Sequence, residues 1–307
     1  MNLIPVADLA DPRLAPYANM RDAELAQRAD PLDESAHAGL FIAEGELVVE
    51  RLIASDFPVR SVLLTPTRLD AMRPLLERLS PSTPIYLAAP PVLSAIVGFN
   101  MHRGVLAVGA RSRRLALDDL LRLRGPLVIL EDLTNHDNLG GIFRNAAALG
   151  GPGCGVLLSP RCADPLYRKS LRVSMGHALS VPFVRLTDWP GELARLAAAG
   201  FDLLAMTPGG GAVDLETAAA HRGRRVAIVL GAEGPGLSGA AIGSCDRKVR
   251  IHMRPGPSGR TIDSLNVAMA AGIALYRLGG AGSEGESAEE SPDRGEPPPP
   301  SRIRPVE

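Results

Sequence analysis

Three segments of this chain combine polar side chains with glycine in patterns that could carry chemistry. In LEDLTNHDNLGGIFRNAAALG, residues 130–150, an apolar run ends in polar residues and Asn138 opens a glycine-containing helix. Arg144 follows six residues later, close to two helical turns, which brings both polar groups toward one face while Ile142, Phe143, Ala146 and Leu149 serve packing. An amide and a guanidinium beyond a strand end invite an anion; read locally, the same pair is a helix cap and a solvated charge. In VAIVLGAEGPGLS, residues 226–238, three glycines follow a buried strand and enclose one acid, Glu233. Glycine lets backbone N–H and C=O groups approach a ligand where a side chain would clash. Neither the P-loop spacing nor the dinucleotide GxGxxG fingerprint is present. In RIHMRPGPSGRTIDSLNVAMAAGIALYRL, residues 250–278, a Pro/Gly-rich excursion and DSLNVA lead into a helix thinned by Ala268, Ala270, Ala271, Gly272 and Ala274. Asp263 or Ser264 reads as its N-cap.

These segments need a scaffold that brings them to one place. Apolar strands PLVILEDL, GVLLS, FDLLAMT and RVAIVLG, separated by helical segments of about 10 to 15 residues, imply an α/β fold with a parallel sheet covered on both faces. Ligands then bind beyond the carboxyl ends of the strands, where all three segments lie. TPGGGAVDL, residues 207–215, is a further flexible loop that reads as a plain surface turn or, as the alternative, as a border of the ligand site. The first half alternates helix GELVVERLIAS, strand VRSVLLT, helix RLDAMRPLLERL and strands PIYLA and GVLAVGA, a smaller α/β unit. The Arg-rich stretch ARSRRLALDDLLRLRGP divides the two, giving units over 1–112 and 113–278. The remainder, 279–307, is Gly, Ser, Glu and Pro with little to bury, and is expected to be disordered.

The net charge of −1 conceals a basic body, because that tail carries seven acids and three bases and leaves 30 basic and 27 acidic residues elsewhere. Arginines cluster at 111/113/114, 122/124, 222/224/225 and 247/250, compatible with RNA. No apolar run approaches the roughly 20 residues of a membrane span, and no signal peptide is visible, which points to the cytoplasm. Three cysteines, Cys154, Cys162 and Cys245, make neither a CxxC pair nor an even set and read as small core residues. The six histidines lack metal-ligand spacing, and no metal is implied; His136 alone is placed in a loop where it could compete as a base.

Together, and in order and spacing, the three segments resemble the signature motifs of the SpoU/TrmH family of SPOUT methyltransferases. FIAEGELVVERLIAS and GFNMHRGVLAV resemble the L30e-like RNA-binding domain that precedes the catalytic domain in many members. The resemblance implies a deep trefoil knot, S-adenosylmethionine as cofactor, rRNA or tRNA as partner, a homodimer, and methyl transfer to a ribose 2′-hydroxyl. It assigns Gly231, Ile251 and Leu265 to the cofactor, and Asn138, Arg144, Glu233, Ser264 and Asn266 to the polar active site. Because a guanidinium stays protonated, Arg144 is expected to act electrostatically. One departure stands out: His252 occupies the family's proline position, and the loop after it is longer than usual, so a wider cofactor loop is expected. A base-methylating enzyme of the same superfamily and a non-catalytic RNA-binding protein are the alternatives. Removing residues 1–110 is expected to spare cofactor binding.

Overall fold

Runs of aliphatic residues broken by glycine, proline and charge set the strands of two separate sheets. The computed structural model describes residues 1–18, 21–28, 39–98, 104–111, 115–220, 225–255 and 264–279. His102, Arg113, Arg114, Arg222, Arg224, Asp263, most of the long loop after His252 and the acidic tail beyond Gly279 lie outside them.

The first half runs β1 (Asn2–Val6), α1 (Asp22–Gln27), β2 (Leu40–Glu44), α2 (Glu46–Ile53), β3 (Val59–Leu64), α3 (Pro66–Leu76), β4 (Pro84–Ala88), α4 (Pro90–Val97) and β5 (Val105–Ala110). The strand order is β1-β4-β3-β5-β2, with β1, β4 and β3 parallel and β5 antiparallel to both neighbours. Prolines open α3 and α4 where a missing N–H costs nothing. Two strands escape the periodicity reading for opposite reasons. β1 is a largely exposed edge strand whose short apolar run contains Pro5 and does not alternate, while all five residues of β2 are buried and give no alternation.

The second half runs α5 (Leu117–Leu121), β6 (Leu127–Glu131), α6 (His136–Leu149), β7 (Gly155–Leu158), α7 (Arg168–Val173), β8 (Phe183–Arg185), α8 (Leu193–Ala198), β9 (Phe201–Met206), β10 (Val213–Asp214), α9 (Leu215–Ala220), β11 (Arg225–Gly231), α10 (Gly239–Gly243), β12 (Arg247–Arg250) and α11 (Val267–Leu278). Its seven strands are ordered β10-β12-β9-β11-β6-β7-β8, and every neighbouring pair is parallel. Side chains alternate between the two faces. Val128, Leu130, Ile228 and Leu230 pack under α6 and α11, whereas Leu127, Ile129, Ala227 and Val229 join the cluster that includes α5 and α8. The covered parallel sheet is the one the apolar runs imply. The crossovers are shorter than expected: α7, α8 and α9 have six residues each and α10 five, with turns covering the remaining surface. No helix among the described residues is long and apolar enough to cross a membrane.

Helix α6 is held between two partners by its glycine pair. A Cβ on Gly140 would lie 2.7 Å from Cβ of Val173 in α7, and one on Gly141 would lie 3.0 Å from Cβ of Ala268 in α11. Asn145 adds a polar tie, donating to the carbonyl of Ala268 at 2.7 Å.

The two sheets are docked rather than strung on a linker. Val48, Leu52 and Phe57 share one core cluster with Leu171, Ala178 and Leu179. Glu44, 7% exposed, accepts from Arg172 at 3.0 Å and lies 3.8 Å from Arg168. Arg111 pairs with Asp164 at 2.7 Å, and Arg51 donates to the carbonyl of Met175.

Candidate active site

The carboxyl ends of β9, β11 and β12 open into one pocket of about 600 Å³. Its floor comes from the strand ends Leu230 and Val249, and its walls from three segments: 206–208, 231–236 and 264–267. Gly231, Ile251, Ser264, Leu265 and Asn266 all line it, as does Glu233. The register of Ile251, immediately after β12, places it beside Val249 and Met253 on the same wall. Met206, Thr207 and Pro208 line the pocket beside Val249, with Met206 its register partner, so the start of the 207–215 segment borders the pocket, the less favoured of the two readings its composition allows. Nothing in a Thr-Pro-Gly sequence distinguishes a surface turn from a pocket wall; the strand order does.

Backbone geometry shapes the 231–238 segment. A Cβ at Gly231 would fall 2.2 Å from the carbonyl carbon of Gly236, so only glycine lets this loop fold back onto the end of β11. Gly234 and Gly236 take φ values of 90° and 68°, in the left-handed region. An isolated bridge between Ala232 and Gly236 closes the turn around Glu233.

Asn266 joins the three segments. Its Oδ1 accepts from the backbone N–H groups of Ala268 and Met269 at 3.0 and 3.4 Å, which makes it the N-cap of α11. With Oδ1 so used, Nδ2 donates to Oδ1 of Asn138 and to Oε1 of Glu233, both at 2.8 Å. The cap is thus Asn266 and not the expected Asp263 or Ser264, because Asn266 immediately precedes the first helical residue; Asp263 lies outside the described residues. Asn138 is displaced from its expected role in the same way. Helix α6 starts earlier, capped by Asn135, whose Oδ1 accepts from Asp137 and Asn138 at 2.8 and 3.4 Å. Asn138 therefore sits inside the first turn, buried, with its side chain released for Asn266.

Arg144 is not drawn into that cluster. It is exposed on α6, does not line the pocket, and has no hydrogen-bond or ion-pair partner among the described residues. Its neighbour is His177, in the turn that follows α7. Burial, then the charges of Arg51 and Arg144, hold the His177 imidazole below its ordinary pKa, so it is neutral at pH 7. His136 stacks on Tyr167 with ring centroids 5.4 Å apart, away from the pocket, which gives it a packing role.

Known proteins share both the sequence and the shape. The model of the SpoU rRNA methylase family matches residues 125–276. An uncharacterized tRNA/rRNA methyltransferase of Mycobacterium tuberculosis is 43% identical over 272 residues, covering 88% of this chain and 90% of that protein. The SpoU methyltransferase AviRb of Streptomyces viridochromogenes, crystallised in complex with AdoMet, superposes with a TM-score of 0.67 at 28% identity, over 87% of this chain and 97% of that one. An AdoMet-bound rRNA methyltransferase of Sinorhizobium meliloti has the same fold, with a TM-score of 0.69 at 24% identity, over 90% of this chain and 97% of that one.

Proposed function

Because this chain belongs to the SpoU rRNA methylase family, we propose that it methylates RNA from S-adenosylmethionine, and that the acceptor is a ribose 2′-hydroxyl of an rRNA or tRNA. The observation that carries this reading is the Asn138–Asn266–Glu233 junction on the rim of the pocket, with Arg144, which has no partner among the described residues, on the same helix as Asn138. The pocket suits the donor: its volume lies in the range of small-molecule sites, and the Gly231 turn leaves room that a single Cβ would fill. Leu230, Val249 and Met253 offer apolar surface, while Glu233 adds a carboxylate at the rim to a cationic ligand.

S-adenosylmethionine supplies a methyl already activated on sulfonium sulfur. The residues must then align a weak nucleophile and manage one proton. A guanidinium is a fixed cation and a poor base, so Arg144 holds the RNA phosphate and stabilises the developing alkoxide instead of removing the proton. Asn138, Ser264 and Asn266 fix the hydroxyl and the loops, and the proton leaves to water or to a phosphate oxygen. No side chain is asked to supply a metal-like charge.

The N-terminal sheet is assigned to RNA capture, and the active assembly is a homodimer. Supporting the latter, α11 presents Met269 and Tyr276, 64% and 70% exposed, with Ile273 between them on one stripe.

The test uses the acceptor's own chemistry. Alkaline cleavage requires a free 2′-hydroxyl, so a ribose product leaves one gap in an alkaline ladder of the modified RNA, and a substrate with 2′-deoxy at that position accepts no methyl. A continuous ladder with a still-methylated deoxy substrate means a base is the target. Absence of S-adenosylmethionine binding by calorimetry means a non-catalytic RNA-binding protein.

A further inference from the structure

One buried ionisable group has no part in the mechanism above. Glu131, the last residue of β6, is 4% exposed and lies in register with Gly231, the last residue of β11. It does not line the pocket. Its Oε2 accepts the backbone N–H of Ser238 at 2.7 Å, and its Oε1 accepts the indole N–H of Trp189 at 2.6 Å. Ser238 ends the glycine turn and caps α10, its hydroxyl accepting from Ala241 at 3.1 Å. The turn that carries Glu233 is therefore fixed at both ends. At one end Gly231 is held by strand pairing, and at the other Ser238 is held by the carboxylate of Glu131. A carboxylate buried to this extent is tolerated only while its oxygens keep such donors. Here one donor, Ser238, stands two residues beyond Gly236 of the pocket wall, and the other belongs to the only tryptophan in the chain.

We infer that Glu131 is a positioning residue for the donor-binding turn, and that Trp189 senses occupation of the pocket through the carboxylate it shares with Ser238. The inference rests on the proposed reading of the pocket as the S-adenosylmethionine site. A donor that draws the 231–236 backbone inward must move Ser238 against Glu131, and with it the hydrogen bond that sets the environment of the indole.

The experiment titrates S-adenosylmethionine into the full chain by calorimetry while following tryptophan emission, for wild type, Glu131→Gln, Glu131→Asp and Ser238→Ala. Glu131→Gln keeps the shape but turns one acceptor into a donor facing an N–H, so affinity is expected to fall about tenfold or more. The emission change should then be lost even at saturation. Glu131→Asp keeps the charge but withdraws it by one methylene, and an intermediate loss of about threefold or more is expected; it carries the test if the Gln variant does not fold. Ser238→Ala retains the backbone N–H and should stay within about twofold of wild type. RNA affinity should be unchanged throughout, which a general loss of structure would not allow. Wild-type affinity in both Glu131 variants, or a wild-type emission unmoved while calorimetry shows saturation, overturns the inference and leaves the function standing. No calorimetric binding by wild type overturns the function itself and this inference with it.

Discussion

Asn266 performs two tasks that substitution can separate. Its Oδ1 caps α11 through Ala268 and Met269, and its Nδ2 ties Asn138 to Glu233. Asn266→Ala removes both. The lost cap costs about 1 kcal/mol. The bond to buried Asn138 is worth about 1 kcal/mol more, while the bond to exposed Glu233 adds little because water competes for it. A total of about 2 kcal/mol lowers the melting temperature by about 4–8 °C in a domain of this size. Asn266→Ser restores a capping oxygen but is too short to reach Asn138 or Glu233, so it should recover about half of that shift. Cofactor affinity should behave differently: both variants lose the junction, and both should bind S-adenosylmethionine about tenfold more weakly or worse. Differential scanning calorimetry gives the first quantity and titration calorimetry the second. If Asn266→Ser binds the donor like wild type, the residue matters only as a cap and the three-segment junction is not what holds the site.

Four further outcomes follow from the geometry. Arg144→Ala should cut turnover by about 10²–10³ while leaving donor affinity within about twofold, since Arg144 touches neither pocket nor junction; a tenfold loss of donor affinity contradicts its assignment to RNA. Burial pushes the thiols of Cys154 and Cys245 up to about 12, so native protein treated with iodoacetamide at pH 8 should leave both unlabelled, as mass spectrometry of the peptides would show. Met269→Arg with Tyr276→Arg should yield a monomer in sedimentation equilibrium, and a dimer that survives both charges would place the contact elsewhere. Removing residues 1–110 should leave an aggregating fragment, because it strips Val48, Leu52 and Phe57 from Leu171, Ala178 and Leu179; a soluble fragment that binds the donor would restore the simpler modular picture.

That last outcome reverses what the sequence alone leads one to expect, and the reason is instructive. A composition break near residue 112 marks where one sheet ends, but it carries no information on whether two sheets touch; Glu44 buried against Arg172 does. The covered parallel sheet was legible because its strands are uninterrupted aliphatic runs. The glycines around Glu233 stood out after such a run as a place for close backbone approach, whereas Leu265 and Asn266 were singled out only by the resemblance to the SpoU/TrmH motifs. What stayed hidden were partnerships. Asn138 looks like one helix start and Asp263 or Ser264 like another, and only the fold shows that Asn135 caps the first helix and Asn266 the second. Glu131 looks like the polar end of a strand, and its partners Trp189 and Ser238 lie far away in sequence. The 207–215 loop left two readings open, a surface turn and a border of the ligand site, and the strand order, which sets β9 beside β12, decides for the second.

The contacts that complete the site have a kinetic meaning as well. Asn266 meets Asn138 across 128 residues, Asn145 meets Ala268 across 123, and Glu131 meets Ser238 across 107. Closing loops of that length is slow and gains nothing until the flanking strands are paired. During refolding, circular dichroism should therefore recover no later than donor binding does, because the pocket needs α6 and α11 brought together at Gly141 and Ala268 after the strands between them have paired.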